Sequence, residues 1–119
     1  QFMEHPIKSQ WDVVLCIAKY IKKDHARGLR YSHHDHLNVK ALCDADYASC
    51  LATQKSTSGF VVFLAVNLIS WRSKKQTVIS RSSAESKYRA MAMVTTEIFW
   101  LQHLLHELSF PPQTTTHIW

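Results

Sequence analysis

Asp44 and Asp46 stand two residues apart at the end of an apolar alternation, so on a strand both carboxylates leave the same side of the sheet. Like charges this close repel, and a divalent cation relieves the repulsion. Carboxylates around Mg²⁺ beside a basic surface are what metal-assisted phosphodiester hydrolysis requires, although an Asp pair at a strand end also serves as turn chemistry. The basic surface follows downstream. Arg72, Lys74, Lys75, Arg81, Lys87 and Arg89 face only Glu85 in charge, and Ser73, Thr77, Ser80, Ser82 and Ser83 are interspersed at a helix entry. Hydroxyls, cations and helix-start amides together suit phosphate contacts. A second basic cluster, Lys19, Lys22, Lys23, Arg27 and Arg30, is offset by Asp24 and reads equally well as a solvated face.

Two other constellations carry less. His33, His34, Asp35 and His36 with Cys43 and Cys50 match no usual zinc spacing. Cys16 and Cys43 fall on apolar positions and are expected as small core residues, without nucleophilic chemistry. Trp71 and Trp100 are expected at the core or its edge, with stacking on nucleic acid as the alternative for an aromatic near Lys74 and Lys75.

Positioning these groups is the work of a chain of 119 residues, 46% hydrophobic, with a formal charge of +5. That is enough for one domain, or one domain and a piece of another, and it excludes collagen-like and low-complexity chains. The positive balance suits a polyanionic partner. Three cysteines make no disulfide framework, so a reducing, intracellular setting is expected. The longest apolar run, residues 60–66, is too short to cross a bilayer, so a soluble chain is expected. It opens at Gln1 and closes at Trp119 as a strand begins, which reads as a piece of something longer.

Periodicity supplies the elements. Ser9 is expected to cap a helix running to about Lys23, with Trp11, Leu15, Ala18 and Ile21 on one stripe. Residues 37–43 alternate as a strand ending in Asp44-Ala45-Asp46. A polar loop leads to a second strand at 60–64 and a third at 68–71, joined by a hairpin with Asn67 at the turn. Ser82 or Ser83 caps a long helix to about Leu108, whose stripe is Tyr88, Met91, Val94, Thr95, Ile98, Leu101, Leu105 and Leu108. Pro111 and Pro112 stop it, and residues 114–118 start a fourth strand. The order predicts an α/β fold, a mixed sheet with a helix across one face.

The blocks Cys43-Asp44-Ala45-Asp46-Tyr47-Ala48, Ser56-Thr57-Ser58-Gly59-Phe60, Ser70-Trp71, Ser73-Lys74-Lys75-Gln76, Ser80-Arg81-Ser82-Ser83-Ala84-Glu85 and Tyr88-Arg89-Ala90-Met91-Ala92 run in one order. Together they closely resemble the ribonuclease H domain of copia-type long-terminal-repeat retrotransposon Pol polyproteins. The resemblance covers about residues 37 to 119. Residues 1–36, through Phe2-Met3, His5-Pro6, Trp11, Val14-Leu15, Tyr20-Ile21-Lys22 and Gly28-Leu29, resemble the connection from reverse transcriptase, which divides the chain into 1–36 and 37–119. The resemblance implies a C-terminally incomplete ribonuclease H-like sheet and cleavage of the RNA strand of RNA–DNA hybrids with Mg²⁺, or Mn²⁺. It implies the hybrid and the reverse transcriptase part as partners, no membrane, no small-molecule cofactor, and a cytoplasmic particle or the nucleus as location.

The family's first acid matches Asp44, a metal ligand. Its second lies in a block usually reading Ser-Ser-Ala-Glu-X-Glu-Tyr-Arg-Ala, which here is Ser82-Ser83-Ala84-Glu85-Ser86-Lys87-Tyr88-Arg89-Ala90. At ~100° per residue, position 87 falls within roughly 30° of the centre of the apolar stripe and Glu85 roughly 140° or more away. The ligand partner of Asp44 therefore belongs at position 87, where Lys87 places an ammonium, and Glu85 is the fallback acid. The family's later acid follows the fourth strand and is expected beyond this chain. Cleavage is accordingly expected to be lost, leaving a non-catalytic nucleic-acid-binding or structural remnant as the competing description. The resemblance further puts Ala45 and Asp46 at the edge of the site, and Lys74, Lys75, Arg81, Ser82 and Ser83 along the nucleic acid.

Overall fold

The computed structural model describes residues 7–110 and 116–119. Its first helix, α1 (Lys8–Lys23), starts one residue before the expected Ser9 cap. Gln10 turns back and its Oε1 accepts from the Ile7 backbone N–H at 3.0 Å, so a side-chain amide serves the helix start in place of a hydroxyl. Lys22 and Lys23 fill the last turn, where the helix dipole favours cations. No residue of α1 is buried, and Cys16, expected in a core, is exposed.

The sheet has four strands, β1 (Val39–Asp46), β2 (Thr57–Leu64), β3 (Asn67–Lys75) and β4 (His117–Ile118), in the order β3-β2-β1-β4. β1 pairs antiparallel with β2, and β2 with β3, while β4 runs parallel to β1. This is an α/β fold with a mixed sheet. β1 starts two residues later than the alternation suggests and extends through Asp46. β2 and β3 are longer than expected because Thr57 pairs with Lys75 and Ser58 with Lys74, and backbone ladders accept polar residues whose side chains give no apolar signal. Asn67 is the first residue of β3 and not a turn residue. The turn holds Ala65, at φ 57°, in the left-handed region, and its N–H donates to the Asn38 carbonyl at 2.8 Å.

Asn67 is instead used to tie down the preceding segment. Its Oδ1 accepts from the Ser32 N–H at 2.9 Å and its Nδ2 donates to the Ser32 carbonyl at 2.8 Å. The stretch that follows α1 is thereby anchored at the β2–β3 turn.

Helix α2 (Ser83–Glu107) lies across one face of the sheet. Ser82 is its N-cap, the side chain accepting from the Glu85 N–H at 3.1 Å. It buries Ser86, Ala90, Val94, Ile98, Leu101 and Leu105, and its apolar members pack against Val39, Ala41, Phe60 and Val62. The face is narrower than the expected stripe: Tyr88 is 70% exposed, Met91 42% and Leu108 57%. Small Ser86 and Ala90 form its first two turns, which lets the helix approach the sheet closely, and Tyr88 points roughly 130° from the centre of that face. Trp71 and Trp100, expected at the core, are each 59% exposed. Trp71 pairs with Val61, in the alternation set opposite to buried Phe60 and Val62, so it stands on the sheet face that α2 does not cover. Pro111, Pro112, Thr114 and Thr115 lie outside the described residues, as do the resembling positions Phe2, Met3, His5 and Pro6.

Candidate functional site

β1 alternates in burial, with Val39, Ala41 and Ala45 beneath α2 and Lys40, Leu42, Asp44 and Asp46 exposed. Asp44 and Asp46 therefore leave the same side of the strand. Ala45 is 8% exposed, so its side chain faces the core, as the strand's period of two requires.

Lys87, in the second turn of α2, reaches across to β1. Its Nζ is 3.4 Å from Asp44 Oδ1, with both side chains largely in water. The six buried residues of α2 place the centre of the sheet-facing side within roughly 35° of Lys87, and Glu85 roughly 170° from it. Glu85 is committed elsewhere: it accepts from the Arg81 N–H at 2.7 Å and pairs with the Arg89 guanidinium at 2.8 Å. These two carboxylates are thus divided between two cation systems, Asp44 with Lys87 and Glu85 with Arg89.

The electrostatics follow the contacts. The Ala45 backbone N–H, then the Lys87 ammonium, hold the Asp44 carboxyl below the usual range. The Arg81 backbone N–H, then Arg89, do the same for Glu85. Burial, then the neighbouring Asp44 charge, push the Cys43 thiol up.

The basic run divides in the same way. Lys74 and Arg81 are exposed, and Lys74 lines, with Lys75, Gln76, Thr77 and Arg89, a shallow groove of about 210 Å³ between the end of β3 and α2. Lys75 donates to Cys50 Sγ at 2.9 Å and so braces the loop after β1. Ser82 caps α2, and Ser83 accepts at its carbonyl from the Ser86 hydroxyl at 2.7 Å.

Sequence reasoning missed the network that holds this end of α2 in place. Gln76 Nε2 donates to Ser58 Oγ at 2.8 Å and to the Ser86 carbonyl at 3.0 Å, while Gln76 Oε1 accepts from the Ser80 hydroxyl at 2.7 Å. Ser58, Ser80 and Ser86 are all but completely buried. The density of serines around one glutamine was the available signal, and apolar periodicity is blind to it.

His34 and His36 stack at 6.1 Å, and Ser32 Oγ lies 2.9 Å from His34 Nε2. Among the described residues, no group of three or more His, Cys, Asp or Glu side chains is placed to hold a metal ion. Nor is any helix among them long and apolar enough to cross a membrane.

The chain is 41% identical over 100 residues to the uncharacterized mitochondrial protein AtMg00810 of Arabidopsis thaliana, a match covering 84% of this chain and 42% of that one. It is 34% identical over 116 residues to the retrovirus-related Pol polyprotein from transposon RE2 of Arabidopsis thaliana, over 94% of this chain and 8% of the polyprotein. It is also 32% identical over 101 residues to the secreted RxLR effector protein 161 of Plasmopara viticola, over 85% of this chain and 71% of the effector. The match thus spans under half the length of the first two relatives. No protein-family model matches the chain. No solved structure matches it either.

Proposed function

We propose, for a chain that belongs to the retrovirus-related Pol polyproteins of copia-type transposons, that residues 37–119 are a ribonuclease H-like module that binds an RNA–DNA hybrid without cleaving it. The observation that carries this reading is the 3.4 Å contact between Lys87 and Asp44. Mg²⁺ demands oxygen ligands at short range, and an ammonium in a ligand's place offers no lone pair and adds like charge beside the ion. Here the group facing Asp44 is an ammonium, and Glu85 is held by Arg81 and Arg89. The residues present do not fit the metal, so hydrolysis through it is not part of the proposed function.

Hybrid binding rests on the other half of the site. Lys74, Arg81 and Arg89 line or flank the loop between β3 and α2, with Ser82 and Ser83 at the helix start. A duplex is held there by its phosphates and its shape and not by its sequence. The reverse transcriptase part of the same polyprotein is the natural source of such hybrids.

Fluorescence anisotropy with a labelled RNA–DNA hybrid tests this. Affinity should fall steeply with salt, Lys74→Ala should lower the log–log slope by about one, and the RNA strand should stay intact in Mg²⁺. Mg²⁺-dependent cleavage by the Lys87 protein, or binding insensitive to salt, would overturn the proposal.

A further inference from the structure

Lys87 does more than stand where a metal ligand would. Its ammonium carries three donors, and the one ion pair it makes among the described residues is the 3.4 Å contact with Asp44 Oδ1. That contact is longer than the roughly 2.7–2.9 Å of a strong charge-assisted hydrogen bond. The side chains of Lys87 and Asp44 are 62% and 78% exposed, and a pair so open to water holds its members weakly. The ammonium is therefore accessible to a second anion.

The ground beside the pair has room for one. Asp44 is in register with Gly59, and Gly59 with Ser73, so the middle of that row across the sheet carries no side chain. The nearest atom to a side chain at Gly59 would be the Arg72 carbonyl oxygen at 3.7 Å, so the row has an open gap there and not a tight backbone approach. Two strand spacings, about 10 Å, separate Asp44 from Ser73. Lys87, Arg72 and Ser73 line the open depression of about 760 Å³ around this gap, with Asp44 as its one acidic side chain. Two cations against one carboxylate leave the depression net positive. It adjoins the groove at Lys74, because Ser58 and Lys74 line that groove while the next pair in the ladder, Gly59 and Ser73, lines this depression.

We infer that the Lys87 ammonium binds a backbone phosphate of the hybrid in the place a metal cation would take, so that the chain engages the hybrid at Asp44 without divalent metal. The inference rests on the hybrid-binding reading above and adds to it a contact outside the loop between β3 and α2. A lysine suits this role because it is a compact point charge with several donors for phosphate oxygens. It offers no Lewis acid and activates no water, so the contact binds and does not cut. Asp44 is the counter-charge that keeps Lys87 over β1 when no hybrid is present. The phosphate competes with that carboxylate for the ammonium.

Anisotropy titrations of the full chain with a labelled RNA–DNA hybrid, in EDTA and in Mg²⁺ at matched ionic strength, are the test. Affinity in EDTA should be no weaker than in Mg²⁺. Lys87→Ala should weaken binding about fivefold at about 0.15 M salt and lower the log–log salt slope by about one, the share of a single phosphate contact. Because that change also bares a carboxylate, Lys87→Ala/Asp44→Asn is the companion variant, and it should stay weakened with the same lowered slope. Asp44→Asn alone should bind at least as tightly as the parent, since the competing carboxylate is gone. Binding that requires Mg²⁺ would overturn the inference, and so would parental affinity and slope in Lys87→Ala. Full recovery in the double variant would overturn it too, by showing that Lys87 only masks the charge of Asp44. A lowered slope in Lys74→Ala beside an unchanged one in Lys87→Ala removes this inference and leaves the proposed function standing, whereas a parent that binds no hybrid removes both.

Discussion

Replacing Gln76 with leucine tests whether the buried serine network, and not apolar packing alone, holds α2 in its position over β1. The glutamine amide makes three contacts, to the Ser58 hydroxyl, the Ser86 carbonyl and the Ser80 hydroxyl, at 2.8, 3.0 and 2.7 Å. Ser58 and Ser80 are each 2% exposed and Ser86 0%, so water cannot replace the lost partner. The Ser86 carbonyl also faces the helix ladder, which leaves the two hydroxyls as the main losses. At roughly 1–3 kcal/mol for each buried polar group left unmade, the substitution should cost about 3 kcal/mol. For a domain of this size that is a fall in Tm of roughly 12–20 °C, read by circular dichroism. A second change, Ser80→Ala, removes one stranded hydroxyl, so Gln76→Leu/Ser80→Ala should be more stable than the sum of its single variants by about 1 kcal/mol or more. A cost under about 1 kcal/mol for Gln76→Leu, or strict additivity in the double variant, would refute the reasoning.

The Asp44–Lys87 contact makes two further predictions. An NMR titration should find the Asp44 carboxyl below the usual range, and Lys87→Met should raise it only part of the way back, because the Ala45 N–H, the largest single cause, remains in place. A lowered folded pKa means that this carboxylate stabilises the fold above its unfolded value and that the contribution is lost as pH falls through the folded value. Complete return to the ordinary range in Lys87→Met, or no movement, would contradict the assignment. Lys87→Glu should convert an ion pair into two facing carboxylates, so its Tm should rise on adding Mg²⁺ while that of the parent stays level; equal responses would show that position 87 does not control cation binding.

Much of this arrangement was legible in the chain. The strand period places Asp44 and Asp46 on one side of β1, and the helix period brings Lys87, and not Glu85, toward that strand. Both follow from backbone geometry that any sequence must obey, with apolar residues marking which side is inward. A serine cap at position 82 or 83 was equally readable, because a hydroxyl there meets a donor that every helix start exposes, and the structure gives the role to Ser82.

What tertiary structure alone decided lies where partners come from distant parts of the chain. Trp71 and Cys16 look like core residues by type, yet whether they are covered depends on which faces of the sheet and of α1 find a neighbour. Ser86 and Ala90 begin the buried face of α2, and Gln76 holds it there, although none is a large apolar residue. The extra length of β2 and β3 comes from pairing between Thr57 and Lys75, eighteen positions apart. Local patterns specify which way a side chain points; burial and hydrogen bonding depend on what stands opposite, and that is set only when the chain has folded.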